Sequence, residues 1–177
     1  MGSAEIYKFP SSDDLLARAW AWLAEVPDPE IPAVSVVDLG IVRDVIWDDD
    51  NLIVEITPTY SGCPATAVIA LDIETALLKK GLENVTVKSK LSPPWTTAWI
   101  TPEGRDKLKA YGIAPPVEDV SSCAGLLKFQ GTQQANVSCP RCSSNQTERV
   151  SQFGSTPCKA SYRCKSCLEP FDYFKSF

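Results

Sequence analysis

The chain of 177 residues contains no histidine at all. That absence removes every Ser–His–Asp or Cys–His nucleophilic device, every imidazole general base and every histidine metal ligand. Any metal bound here must be held by Cys, Asp or Glu. There is a single methionine, and no run approaches the ~20 apolar residues of a membrane span. Met1 to Pro10 lacks the apolar stretch of a signal peptide. A cytoplasmic location is therefore expected, with no membrane partner. Basic charge is also scarce where most of the chain lies. Residues 1–111 carry 10 Lys and Arg against 17 Asp and Glu, whereas residues 138–177 carry 6 against 3. An acidic larger part excludes DNA or RNA as the expected main partner, because phosphate contact needs a cationic face.

What the chain does have is hydrophobic periodicity and thiols. Hydrophobic residues make up 44% of it, enough for a packed core. Ser11-Ser12-Asp13-Asp14 is expected to open a helix, with polar caps and acids at its positive end. Leu16, Trp20 and Leu23 recur at helical spacing, and Pro27 stops the run. Val42–Trp47 and Leu52–Thr57 read as strands around an Asp48–Asn51 hairpin tip, which lacks the spacing of a calcium loop. Ala65–Lys80 reads as a helix ending at Gly81, Val85–Leu91 as a third strand, and Pro102–Tyr111 as a helix closed by Gly112. Trp95 and Trp99, four apart, read as core or docking surface. The expected class is α+β. A small two-layer α/β domain of order α-β-β-α-β-α spans residues 11–112, and a linker covers 113–137.

Five of the seven cysteines fall in the remaining segment, 138–177. Cys139-Pro140-Arg141-Cys142 and Cys164-Lys165-Ser166-Cys167 are two C-x-x-C pairs, 21 residues apart. Each pair puts two sulfurs on one tight turn, and two such turns supply four thiolates for a structural zinc. A rubredoxin-like iron site uses the same ligands, so spacing leaves the metal open. Short strands are expected at Thr147–Phe153, Lys159–Arg163 and Phe171–Phe174. A tail this small has too little core to fold without a staple, so a four-Cys zinc ribbon that scaffolds a protein contact is expected. Cys158 is left over, open between a small packed residue and a spare thiol for a second metal.

Cys63 sits just before an expected helix start, where N–H groups and the helix dipole favour a thiolate. It is open between a small buried residue and a metal or iron–sulfur ligand. Without a histidine base, a hydrolytic cysteine enzyme is not expected. One thiolate does not hold a cluster. Cys123, a second copy in a homodimer, or a client protein would have to complete the shell. Asp28 and Glu30, flanking Pro29, read either as a turn or as an acidic contact near Cys63.

Three stretches carry a family likeness: Asp28-Pro29-Glu30-Ile31-Pro32, Val37-Asp38-Leu39-Gly40-Ile41-Val42, and Thr57-Pro58-Thr59-Tyr60-Ser61-Gly62-Cys63-Pro64. Residues 12–111 resemble the SufT-like family of iron–sulfur assembly domains. That resemblance implies that Cys63 is the reactive residue and that Asp28 and Glu30 lie near it. The segments Pro94–Trp99, Lys109–Pro116, Phe153–Ala160 and Glu169–Lys175, joined to the two C-x-x-C pairs, extend the likeness. The whole chain resembles the PaaD-like accessory proteins of the bacterial phenylacetyl-CoA ring-epoxidising monooxygenase. The resemblance implies a part in aerobic phenylacetate breakdown, in a multicomponent oxygenase with a di-iron catalytic subunit and a reductase carrying flavin and an iron–sulfur cluster. It implies a non-enzymatic role: transient handling of iron or an iron–sulfur cluster for the reductase, with the reductase and the catalytic subunits as partners. The alternative is a structural or regulatory subunit in which Cys63 is inert. The residues agree that oxygenation lies elsewhere. There is no di-iron Glu-x-x-His motif and no Gly-rich dinucleotide fingerprint.

Overall fold

A computed structural model describes residues 12–117 and 137–175. The helix opening at Ser11, most of the 113–137 segment, and Cys123 lie outside the described residues.

Helix α1 (Ser12–Leu23) presents Ala19 and Leu23 to the core, with Leu16, Trp20 and Trp22 half-buried beside them. Strands β1 (Val42–Asp48) and β2 (Asn51–Ile56) form the antiparallel hairpin. Helix α2 (Thr66–Lys79) then crosses over to β3 (Val85–Ser89), which pairs parallel to β2. The sheet order is β1-β2-β3. Its β2 residues Leu52, Val54 and Ile56 meet Ile69, Ile73 and Leu77 of α2 in one aliphatic core. β3 stops at Ser89, short of the expected Leu91. Its partner ends at Ile56, and Pro58 beyond it has no N–H for a ladder. After a short 3-10 turn, α3 (Pro102–Tyr111) is capped by Thr101, whose Oγ1 accepts from the Gly104 N–H at 2.9 Å.

Specific contacts tie the loops to the elements around them. Asp38 Oδ2 accepts from the Ser35 N–H at 2.8 Å and from Lys107 Nζ at 2.7 Å, which ties the 35–40 turn to α3. Gly40, at φ +64°, lies so close to Trp99 that a Cβ would stand 2.4 Å from its carbonyl oxygen. Trp95 is buried and donates from Nε1 to the Leu39 carbonyl at 2.9 Å. Of the two tryptophans, Trp95 is core, while Trp99 is half-buried beneath the Arg43 guanidinium at 3.6 Å.

The second sheet has order β4-β7-β6-β5. Strands β5 (Thr147–Ser151), β6 (Lys159–Cys164) and β7 (Pro170–Phe174) form an antiparallel ribbon. The fourth strand, β4 (Ile113–Ala114), comes from the start of the segment read as a linker, and pairs parallel to β7. Gly112, at φ +96°, ends α3 and turns the buried Ile113 and Ala114 onto the ribbon. The contact between the two sheets is continued by Phe174 and Cys158. Both belong to the large N-terminal core rather than to the ribbon's own cluster. Phe174 is 1% exposed, and its ring centroid lies 6.0 Å from that of Trp95.

Candidate functional site and metal centre

The ribbon's two turns are built alike. The N–H of Cys139 donates to the Ser144 carbonyl at 2.9 Å, and that of Cys164 to the Glu169 carbonyl at 3.0 Å. Ser143 and Leu168, each four residues after the first cysteine of its pair, take positive φ of 59° and 65°. Each turn thereby folds back and presents its sulfurs inward. The four Sγ atoms of Cys139, Cys142, Cys164 and Cys167 all lie within 4.8 Å of one another. Cys139 and Cys167 are 3.8 Å apart, and Cys142 and Cys164 3.5 Å. A tetrahedron with metal–sulfur bonds of about 2.3 Å has edges of about 3.8 Å, so these sulfurs fit a tetrathiolate metal centre. The N–H groups of Cys167 and Ser166 point at Cys164 Sγ, at 3.5 and 3.4 Å. They hold that thiol well below its ordinary value, at about 6. The centre is structural, because all four positions are protein thiols.

A second cluster lies where the two sheets meet. Asp28 sits in a loop closed by its own N–H donating to the Val34 carbonyl at 2.9 Å. Its Oδ1 accepts from the N–H groups of Glu30 (2.9 Å) and Ile31 (2.8 Å). Burial raises the Asp28 carboxyl against those two hydrogen bonds, and the Glu30 charge adds to the rise. Cys63 follows β2 in the turn before α2. Its carbonyl accepts from Thr66 Oγ1 at 2.9 Å. Asp28, Glu30, Cys63 and Cys158 line one cavity of about 10 Å³, walled by Ile31, Leu39, Ile41, Ile69 and Phe174. Cys158 Sγ donates to Glu30 Oε2 at 3.5 Å and lies 3.0 Å from Thr156 Oγ1.

The structure thus brings Asp28, Glu30 and Cys63 together, with Cys63 half-buried rather than sealed. It corrects one expectation. The Cys63 thiol is raised, not lowered. Burial is the largest cause, and the Glu30 and Asp28 charges add to it. They outweigh the Ala65 N–H and Thr66. The helix starts at Thr66, three residues on, and Ala65 supplies no side-chain cap, so the dipole acts from further away than expected. Sequence reasoning also left Cys158 unplaced. Its thiol is buried, set against Glu30 and raised to about 11, chiefly by burial. The only sequence signal was that Cys158 stands outside both C-x-x-C pairs.

An iron–sulfur assembly domain joined to a thiolate ribbon is the class that this fold and these cysteines define. Residues 16–89 match the model of the iron–sulfur cluster assembly protein family, and residues 126–175 match the PaaD zinc beta ribbon domain. The chain is 48% identical over 156 residues to a putative 1,2-phenylacetyl-CoA epoxidase component of Escherichia coli, covering 88% of this chain and 90% of that protein. It belongs to that family. It is also 35% identical over 91 residues to the Fe-S protein maturation auxiliary factor YitW of Bacillus subtilis, half of this chain and 80% of that one. The crystal structure of a DUF59 domain from Bacillus anthracis superposes on 54% of this chain and 92% of its own, with a TM-score of 0.51 at 28% identity. The two-layer unit carrying Cys63 therefore has a solved counterpart.

Proposed function

We propose that this protein is an accessory factor for metal-centre maturation in the phenylacetyl-CoA epoxidase complex, and that Cys63 carries iron or an iron–sulfur cluster to the reductase component. The observation that carries this reading is the position of Cys63. It is a half-exposed thiol at the edge of a cavity shared with the Asp28 and Glu30 carboxylates. The family membership supports the complex as partner, and the likeness to an auxiliary maturation factor supports the cargo. Thiolates and carboxylates are the donors that iron takes in proteins without histidine. A closed tetrathiolate cannot bind and release a cargo without unfolding its turns, so the ribbon is assigned scaffolding and docking, with zinc as its metal. A cytoplasmic location belongs to this reading, since thiols that hold iron and zinc need a reducing compartment.

The test is Cys63→Ala in cells producing the whole oxygenase. The reductase purified from them is expected to contain its flavin but to lack most of its iron and sulfide. A reductase with its full cluster would overturn the proposal and leave the chain a structural component of the complex.

A further inference from the structure

Helix α2 is apolar on two opposite sides. Ile69, Ile73 and Leu77 are buried in the N-terminal core. On the far side Val68, Leu71 and Leu78 are 47%, 61% and 49% exposed, with Thr75 half-buried among them. At about 3.6 residues per turn the two sets lie about half a turn apart, so the sheet covers only the first. A helix that is apolar all round is built to be covered all round. The outer set has the spacing of a helix-pairing seam, with Val68 and Thr75 at positions a and Leu71 and Leu78 at positions d. The residue types select one pairing. β-branched side chains at a with leucine at d favour a parallel pair of helices. The flanking charges agree. Glu74 falls at position g and Lys79 at the following e. In a parallel pair of identical helices each Glu74 faces the other copy's Lys79, twice over. In an antiparallel pair Glu74 would meet Glu74 and Asp72 would meet Asp72 beside the two-fold axis. Among the described residues neither Glu74 nor Lys79 is in an ion pair within the chain.

We infer that α2 is a self-association face: Val68, Leu71, Thr75 and Leu78 pair with the same four residues of a second copy of this chain, the two helices parallel about a shared two-fold axis. The stripe and its charges are complementary to themselves, which commits the face to a copy of this chain rather than to an unrelated helix. The seam is about 15 Å long, short against a standard interface, so the association is weak and reversible. Cys63 lies five residues before the first layer of the seam. Parallel pairing therefore sets both Cys63 residues at one end, where an antiparallel pair would hold them at opposite ends. The pairing stands on α2 alone, and its consequence for the cargo rests on the proposed function. One thiolate does not hold an iron–sulfur cluster, and the second copy brings a second thiolate to the same place. As each Cys63 sulfur takes an iron, its S–H bond breaks, the proton passes to solvent, and no electron moves.

The experiment is sedimentation of the full zinc-loaded chain up to millimolar concentration. Wild type is expected to pass from monomer to dimer as concentration rises. Leu71→Glu changes an exposed residue, so it should fold, with zinc content and helical circular dichroism unchanged. It should weaken dimerisation at least about tenfold, because it sets a charge inside the seam. Glu74→Lys and Lys79→Glu should each weaken it severalfold by facing like charges across the seam. An equimolar mixture of those two variants should recover wild-type association, since each supplies the charge that the other lacks. A short bis-maleimide should link the two copies in wild type and in that mixture, and not in Cys63→Ser. A wild type that stays monomeric at millimolar concentration overturns the pairing and leaves the Cys63 reading standing. Dimers that survive Leu71→Glu overturn it by placing the interface elsewhere. Dimers that Leu71→Glu disrupts, but that the single charge variants leave as in wild type, overturn the parallel arrangement. In cells producing the oxygenase, Leu71→Glu should lower the iron of the reductase as Cys63→Ala does. Full iron with Leu71→Glu alone overturns the shared cargo, whereas full iron with Cys63→Ala overturns the proposed function and not the pairing.

Discussion

The two halves of the molecule are held together by different physics. The N-terminal unit buries a contiguous aliphatic core, with Leu23, Ile73 and Leu77 at 0% exposure. The ribbon's own cluster has eight residues: two are metal-ligand cysteines, three are aromatic, two are alanines and one is a valine. Apolar burial alone is enough for the first and not for the second, where the metal replaces a core. The thiols follow the same division. Cys63, beside an aliphatic wall and two carboxylates, is pushed up, whereas Cys164, under two N–H donors, is drawn down to about 6. The surroundings of Cys63 thus favour the neutral thiol, and those of Cys164 favour the thiolate that the ribbon's metal centre takes.

Stripping the ribbon metal should break the comparison most sharply. Apparent binding free energies at structural four-ligand sites run to about 10–16 kcal/mol, far more than so small a cluster contributes. Cys164→Ser, or a strong chelator, is expected to release about one zinc per chain and unfold β5–β7. The helical circular dichroism of α1–α3 should persist. Loss of Phe174 from beside Trp95 should shift tryptophan emission in the same titration. Retained metal, or helical signal lost together with it, would show that the halves are not separable in this way.

The converse is Ile73→Ala, fully buried in α2. It should cost about 2–5 kcal/mol of N-terminal stability in denaturant titrations. Zinc affinity should not change. A parallel fall in zinc affinity would mean that the seam through Cys158 and Phe174 makes one cooperative unit.

Legibility in the sequence divides along the same line. Periodic apolar residues marked α1, α2 and β1–β3 to within a few residues, because burial on one face imposes its period. Pro102 and Gly112 marked both ends of α3. The C-x-x-C pairs announced the metal centre, since ligand spacing is a local property. What lay hidden was non-local. Nothing in Ile113-Ala114 states that it will pair with Asp172-Tyr173, 59 residues on. The Asp38–Lys107 ion pair and the meeting of Cys158 with Glu30 bridge 69 and 128 residues. Such contacts are set by the packing of finished elements. The Cys63 titration was misjudged for the same reason. Its backbone neighbours are local and favour the thiolate, but the carboxylates and apolar walls that oppose it arrive through tertiary structure.

That last contrast can be measured at one atom. The Cys63 thiol, raised from an ordinary 9.0, should react with iodoacetamide along a pH profile whose midpoint lies above 9.0 in the folded protein. Unfolding in urea should bring the midpoint down. The linkage has a definite sign. A thiol whose folded pKa exceeds its unfolded value adds stability that is present below the unfolded pKa and lost as pH rises through the folded one. Glu30→Gln removes one of the two charges acting on Cys63 and leaves its burial in place. Its midpoint should fall part of the way only. A return to 9.0 in that variant would make charge, not burial, the dominant cause. No movement would place Glu30 too far from the sulfur for its charge to act there.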